Sequence, residues 1–432
     1  MSKPAKGLRV GNYRITPLGL VTLAVLILLI AAAIVFFVWK PVDFSTLSIG
    51  RAPEPTPTEE PLETVEPVVE YTPEPTAVPE ARTATIRALG EIAMQQNLLR
   101  SAVKGNNFNF GDMFSEISSQ MADADFTIAD VEGTLGDTTD YSGKNNKMVT
   151  PSALIDVLKS CGVDMVTIAN DHALDGGAKE LLATMKNLTA KGMPYVGGAT
   201  SAAARKKAVV KEINGIPVGF IAYTETLQNA PKNKNSSVYK YGINLIAASN
   251  ASADIKAAKS TGAKVIVCCV SWGKMMSRTP TANQKKIAQY LAKAGVDVII
   301  GYNPHTVQPA SWIETTNSKG TVRRTLCLGA TGNFLSDQRK QYFDSGIIFQ
   351  FTIKETGSNT NKFTITAPRY IPTYVWRKSA GSGKYSYKVL PVGLWLESQP
   401  SGMAYTDVTR MRQVWAEVQK TMGSKVASIS AE

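Results

Sequence analysis

The chain has 432 residues, 44% of them hydrophobic, enough for one large domain or two small ones with accessory segments. Lys and Arg number 47 against 35 Asp and Glu, and the formal net charge of +12 is unevenly spread. Four Cys give no sign of a disulfide framework or a thiolate metal site, although a pairing of two distant Cys stays open, and two His limit any centre built from imidazoles.

Residues 1–16 carry Lys3, Lys6, Arg9 and Arg14, and residues 17–39 then read PLGLVTLAVLILLIAAAIVFFVW without a charge. That run is long enough to span a bilayer and ends in Phe36, Phe37, Val38 and Trp39 rather than in a small-residue cleavage site, so an uncleaved transmembrane anchor is expected. The excess of basic residues before it puts the N-terminus in the cytoplasm and the rest outside, as a single-pass protein of the cell membrane with an extracellular main domain.

Residues 40–81 are rich in Pro and Glu, as in PEPTPTEEPLETVEPVVEYTPEPTAVPE. Pro removes backbone donors and Glu repels Glu, so an extended acidic stalk is expected there. Beyond it the chain carries about +15, which favours anionic partners such as acidic polymers or lipid headgroups; a basic surface that is merely solvated remains the alternative. Nucleic acid is not expected as a partner.

From residue 82 to about 400, apolar β-branched runs alternate with helical patterns. The strand candidates are ATIRALGEIAM, DFTIADVEG, VDMVTIAND, GIPVGFIAYTE, AKVIVCCVSWG and VDVIIGYN. Helices are expected over 109–121, 152–161, 176–192, 247–261 and 281–294, and a C-terminal helical extension over 401–432. This order predicts an α/β domain. The strand-rich stretch 321–371 is expected to complete a second sheet. In VIVCCV, Cys268 and Cys269 should face opposite sides of a strand.

Polar residues follow the apolar runs: Glu91, Asp130 with Glu132, Asn170 to His172, Ser271 to Gly273, and Asn303 to His305. In open α/β sheets ligands sit beyond the carboxyl ends of the strands, so these residues mark the expected site. His172 and Asn333 also read as turn- or loop-fixing residues, Trp272 as core, and His305 as a structural hydrogen-bonding group.

The ordered series LGEIAM, DVEGTLG, TIANDHALDGG, YVGGA, VSWG, GVDVIIGYNPHTVQPASWIE, LGATGNFLSDQ and YIPTYVWR resembles the CapA family of poly-gamma-glutamate capsule proteins. The resemblance implies a calcineurin-like, metallophosphoesterase-like fold of paired sheets flanked by helices. It also implies a role in the synthesis, retention or export of poly-gamma-glutamate or a related anionic surface polymer, with polymer-synthase membrane proteins as partners. It makes Glu91, Asp130, Glu132, Asn170 and His305 metal ligands, Asp171 and His172 catalytic residues, and Trp272 and Asn303 substrate contacts.

Departures from the family pattern bear on the metal. Glu91 stands where the family has Asp, Gln95 where it has His, Ser271 where its His-Trp-Gly begins and Asn303 where its His-Pro-His begins. The lost imidazoles argue against a tightly held transition-metal pair, while carboxylate and amide oxygens still suit Mn or Mg. A metal-dependent hydrolase and a metal-free binding module on the same fold both remain open as alternatives.

Overall fold

The computed structural model describes residues 80–423 except 137–140, 142–146, 234, 317–319 and 399–401, together with 9–10, 13–14 and 427–428. The chain divides into two units, Met1–Glu74 and Pro75–Glu432. In the first, Arg9–Val10 pairs antiparallel with Tyr13–Arg14. The expected anchor at 17–39, and the stalk up to residue 79, lie outside the described residues. No helix among the described residues is long and apolar enough to cross a membrane.

The second unit begins with a parallel array of β1 (Thr83–Ile92), β2 (Phe126–Val131), β3 (Met165–Thr167) and β4 (Tyr195–Val196). The next segment builds another sheet from β5 (Val209–Ile213), β6 (Ile216–Thr224), β7 (Val265–Ser271), β8 (Val298–Tyr302), β9 (Val307–Thr316) and β10 (Val322–Thr331). Its order is β5-β6-β7-β8-β10-β9, parallel from β6 to β10 with an antiparallel strand at each edge. The chain then returns to the first sheet with β11 (Asn333–Leu335), β12 (Ser345–Glu355), β13 (Phe363–Ser379) and β14 (Tyr385–Pro391). The first sheet therefore runs β4-β3-β2-β1-β12-β13-β14, with β11 beside the end of β1.

This corrects the expectation that 321–371 completes a second sheet. Only β10 does so; β12 pairs antiparallel with β1, as in Phe349 opposite Ala88, and β13 pairs with β12. The first three strand candidates belong to one sheet and the next three to the other.

Alternation along the strands explains the layering. In β7, Val265, Val267 and Cys269 face the first sheet, while Ile266, Cys268 and Val270 face helices. The four Cys are buried and unpaired. Helices α1 (Gln96–Ala102), α2 (Ala153–Ser160) and α3 (Gly177–Ala190) cover the outer face of the first sheet with Leu98, Leu158 and Leu181. Helices α4 (Ala248–Ser260) and α5 (Ala282–Ala294) cover the other sheet with Ile255 and Leu291. Each such side chain contributes roughly 1.5–3 kcal/mol when removed from water. The result is a mixed α/β fold of two sheets flanked by helices.

Local signals set the helix limits. Helix α5 starts in a reciprocal cap, Thr281 N–H donating to Gln284 Oε1 at 2.8 Å and Gln284 N–H to Thr281 Oγ1 at 3.2 Å, and stops at Gly295 with φ 107°. The single helix expected over 109–121 is instead two short ones, Gly111–Phe114 and Ser118–Ala122. Between them Ser115 donates to the Asp112 carbonyl, offering the backbone a local alternative to the helical ladder. Helix α6 (Tyr405–Met422) buries Met411, Val414, Val418 and Met422 in the core shared with both sheets.

Candidate metal centre

Strand periodicity aims the acidic residues. Phe126, Ile128 and Asp130 share the face of β2 that looks toward the second sheet, so Asp130 ends an otherwise apolar row. Asp130 is the register partner of Glu91 on β1, and Glu91 that of Asn333 on β11. A β-bulge between Ala88 and Glu91 turns Glu91 into this position. Gly90 permits it, because a Cβ there would lie 2.4 Å from the Gly332 carbonyl oxygen. Glu132 follows β2 directly, its N–H bonded to the Ile92 carbonyl at 3.0 Å.

From the other sheet, Asn303, Pro304 and His305 follow β8, and Asn303 and His305 adopt φ 89° and 57°, uncommon for residues with a side chain. The strain is held by contacts. Asn303 donates its N–H to Glu91 Oε1 at 2.9 Å and its amide to the Trp272 and Gly273 carbonyls at 3.1 and 3.3 Å. Asn333 donates its amide to the Phe343 carbonyl at 2.8 Å and to Gln338 Oε1 at 2.9 Å, so its oxygen must accept. Nδ1 of His305, 3.0 Å from that oxygen, therefore carries a proton, and Nε2 is left for the site.

Glu91, Glu132 and His305 bring one potential ligand atom each within 4.8 Å of one another. Glu91 Oε2 is 2.7 Å from His305 Nδ1 without aligning as a hydrogen bond, and Glu132 Oε1 is 3.8 Å from His305 Nε2. All three are buried. Burial pushes the Glu132 carboxyl up to about 8, with Glu91 adding to the rise and His305 opposing it. Burial works against Glu91 too, but the charge and contact of His305 hold it below the ordinary carboxylate range. Asp130 is driven well above that range by burial and by its acidic neighbours. His305, which burial alone would lower, is held well above the usual imidazole value by Glu91 and Glu132.

Both Asp130 oxygens, Glu132 Oε2 and Asp171 Oδ1 are buried and meet no hydrogen-bond donor among the described residues, while Glu91 Oε2 has only the nearby His305 Nδ1. Buried carboxylate oxygens without donors are costly unless a cation meets them. Two carboxylates and one imidazole suit an oxygen-preferring divalent ion, so the residues fit the metal that the resemblance implies.

Beside this cluster, the turn after β3 carries Asn170, Asp171 and His172. His172 Nδ1 is 2.7 Å from Asp175 Oδ2, which also accepts the Met148 N–H at 2.7 Å. Burial lowers His172, but Asp175, Glu132 and Asp171 together raise it to about 9. The Gln228 amide nitrogen, on the loop after β6, lies 2.7 Å from Asp171 Oδ2 and 3.2 Å from His172 Nε2. The amide therefore donates to the Asp171 carboxylate, and its contact with the ring nitrogen depends on the His172 tautomer.

The sequence-predicted residues divide accordingly. Glu91, Asp130, Glu132 and His305 converge, Asp171 and His172 stand next to them, and Asn303 holds Glu91 from behind. Asn170 uses both ends of its amide on the backbone, donating to the Val131 carbonyl at 2.8 Å and accepting the Gly133 N–H at 3.3 Å, so it fixes the Glu132 turn. Trp272, expected to touch substrate, is instead 1% exposed, with its indole N–H on the Gly329 carbonyl at 2.8 Å. Its ring completes the layer under α5 because the side chain after Ser271 points away from the cleft. Sequence reasoning missed Gln228 as a site residue, and Asp175 as the partner of His172; only the turn residues around Asp175 carried any signal.

Residues 85–338, more than half of the chain, match the family described as bacterial capsule synthesis protein PGA_cap. Capsule biosynthesis protein CapA of Bacillus anthracis is 22% identical over 278 residues, 63% of this chain and 65% of that protein. PGA biosynthesis protein CapA of Bacillus subtilis (strain 168) is 25% identical over 230 residues, 52% of this chain and 55% of that protein. The chain thus spans less than two thirds of either relative's length. Among solved structures, the calcineurin-like phosphoesterase YfkN from Bacillus subtilis overlaps 79% of this chain and 99% of that one, at a TM-score of 0.40 and 14% identity. The matched segment encloses Glu91, Glu132 and His305 and the His172 turn, and the chain belongs to the bacterial capsule synthesis protein PGA_cap family.

Proposed function

We propose that this protein is a membrane-anchored extracytoplasmic factor in the synthesis, retention or export of poly-gamma-glutamate or a related anionic surface polymer, and that its pocket works with a bound divalent cation, Mn or Mg. Family membership supports the polymer, and the apolar run at 17–39 supports the anchor. One observation carries the cation: Glu91, Glu132 and the His305 ring bring ligand atoms within 4.8 Å of one another in a buried site, where Glu132 Oε2 and the neighbouring Asp130 oxygens meet no donor among the described residues.

Glu91, Glu132 and His305 would hold the ion, with Asp130 next to them. A divalent cation supplies Lewis-acid polarisation of an oxygen bound to it. The chain's own contributions are distinct. Asn333 fixes the His305 tautomer, Asn303 orients Glu91, and Asp175 orients His172. His172, held between Asp175 and Gln228, is able to give or take a proton at Nε2.

That His172–Asp175 pair favours a second reading, a metal-dependent hydrolase of a phosphoester or peptide-like bond. Metal analysis of the purified full-length protein tests the cation. Wild type should retain about one Mn per chain after desalting from Mn, whereas His305→Ala and Glu132→Gln should retain none. Equal metal in folded wild type and variants would place the ion elsewhere and remove the reading. Metal-dependent ester turnover abolished by His172→Ala would select the hydrolase.

A further inference from the structure

The loop after β6 crosses from the second sheet to the His172 turn of the first. Its backbone is tied there, Gln228 N–H donating to the Asp171 carbonyl at 2.8 Å, while Asn229 sits at φ 53° with its amide 3.2 Å from Asp175 Oδ1. A left-handed Asn on an exposed loop is strain that these bonds maintain. Gln228 is exposed overall, yet its amide nitrogen covers Asp171 Oδ2 and His172 Nε2, and those two residues are left 7% and 3% exposed.

The group delivered there is CH2–CH2–CO–NH2. A γ-linked glutamyl chain presents the same two methylenes and carbonyl at every linkage, with the nitrogen carrying the next residue. Asp171 Oδ1 is buried and lacks a donor among the described residues, so the turn has room in its hydrogen bonding for one more N–H than Gln228 supplies. Lys232 on this loop, and Lys274 just past β7, are exposed and offer charge for the free carboxylates of such a chain.

We propose that Asp171 and His172 form an amide-binding subsite that Gln228 fills from within the protein, so that an amide-linked chain enters by displacing the Gln228 side chain. This deepens the polymer reading above and rests on it. Displacement needs a side-chain rotation only, since half-buried Leu227 stays packed against the core and the backbone bond at residue 228 persists. A ligand competing with an internal occupant binds more weakly by the fraction of time the subsite is open.

The test is calorimetric titration of the full-length protein in detergent, loaded with Mn, using a γ-linked glutamyl pentamer and, as control, a polyacrylate of equal charge that has no amides. Gln228→Ala should bind the pentamer about tenfold more tightly than wild type and the polyacrylate unchanged. Gln228→Asn, one methylene too short to span to Asp171, should behave like Gln228→Ala. Tightening toward both ligands would mean that the side chain blocks without mimicking an amide, and no tightening toward the pentamer would mean that it fills no subsite; either result overturns the proposal. So would failure of both variants to fold, since an occupant that a ligand displaces is dispensable for folding. Mn binding is measured in the same samples: its absence with the pentamer effect intact removes the cation centre alone, and its presence without that effect removes the subsite alone.

Discussion

Glu91 Oε2 lies 2.7 Å from His305 Nδ1, while Glu132 stands on the far side of the same ring, 3.8 Å from Nε2. One buried imidazole is therefore shared by two carboxylates in different states. Glu91 is kept ionised by the ring, whereas at Glu132 burial, aided by the charge of Glu91, outweighs the ring and raises the carboxyl to about 8.

Cation binding should accordingly release protons. Without a cation at neutral pH, His305 is charged and Glu132 largely neutral, and both must lose a proton to act as ligands. Mn affinity should increase from pH 6 to pH 8 by about tenfold per pH unit for each proton displaced. Calorimetry in buffers of different ionisation heat counts those protons. Affinity flat across this range, with no proton release, would show that Glu132 and His305 are not the ligands.

Glu132 also links pH to stability in the cation-free protein. Its folded value, about 8, exceeds the unfolded one, so the folded state binds the extra proton between them. Stability from this group is complete below the unfolded carboxylate value and declines as pH rises toward 8. Glu132→Gln removes the ionisable group and should stabilise the cation-free protein at pH 8 by on the order of 2–4 kcal/mol while changing little at pH 4. Urea denaturation in a chelator, at both pH values, measures this. An equal effect at the two would contradict a raised Glu132.

Why some of this was legible and some was not follows from particular residues. Glu91, Asp130, His172 and His305 each follow an apolar run, and parallel strands deliver such residues to one edge whatever the loops do. Gln228 had no such signal. It lies in a polar loop and meets His172 across 56 positions of sequence, through the packing of two sheets. Trp272 carried both a core and a substrate reading, because an aromatic beside a strand-end Gly reads the same whether it faces a cleft or a core, and the core reading holds. The antiparallel β12 and β13 were given to the wrong sheet because an amphipathic strand does not encode which free edge it joins, and the open edge of β1 was not visible from the sequence.

Gly90 tests the geometry with a single methyl group. A Cβ there would meet Gly332 O at 2.4 Å and Phe334 N at 2.9 Å, both backbone atoms that cannot swing away. Gly90→Ala should force β1 and β11 apart, moving Glu91 from Asn303 and Asn333. A loss of about 1–3 kcal/mol in stability is expected, together with at least tenfold weaker Mn binding. Wild-type Mn affinity in this variant would show that the bulge does not position Glu91.

The proposed topology rests on residues 1–39 and is tested on cells. Protease added after removal of any outer wall should release the region after the stalk and spare an epitope placed before Lys3. The charge-free run of 17–39, with four basic residues ahead of it, gives that direction. Protection of both ends would overturn the orientation, and release of an intact soluble chain by a salt wash would remove the anchor.

The polymer itself is tested by salt. From residue 81 onward the chain carries about +15, so a polyanion should be drawn to exposed Lys and Arg side chains whose reach is screened over roughly 8 Å at physiological ionic strength. Affinity of the full-length protein for poly-gamma-glutamate should therefore fall as salt rises from 50 to about 300 mM. A pocket-dependent part should survive that screening, because contacts inside a buried site are shielded from mobile ions. His172→Ala and His305→Ala should abolish this residual part while leaving the salt-sensitive part in place. Neither variant removes an exposed charge, since both rings are buried, so a purely nonspecific basic surface would not register them. Identical residual binding in wild type and variants, or equal affinity for an unrelated polyanion of the same charge density, would leave the polymer without a site in this pocket.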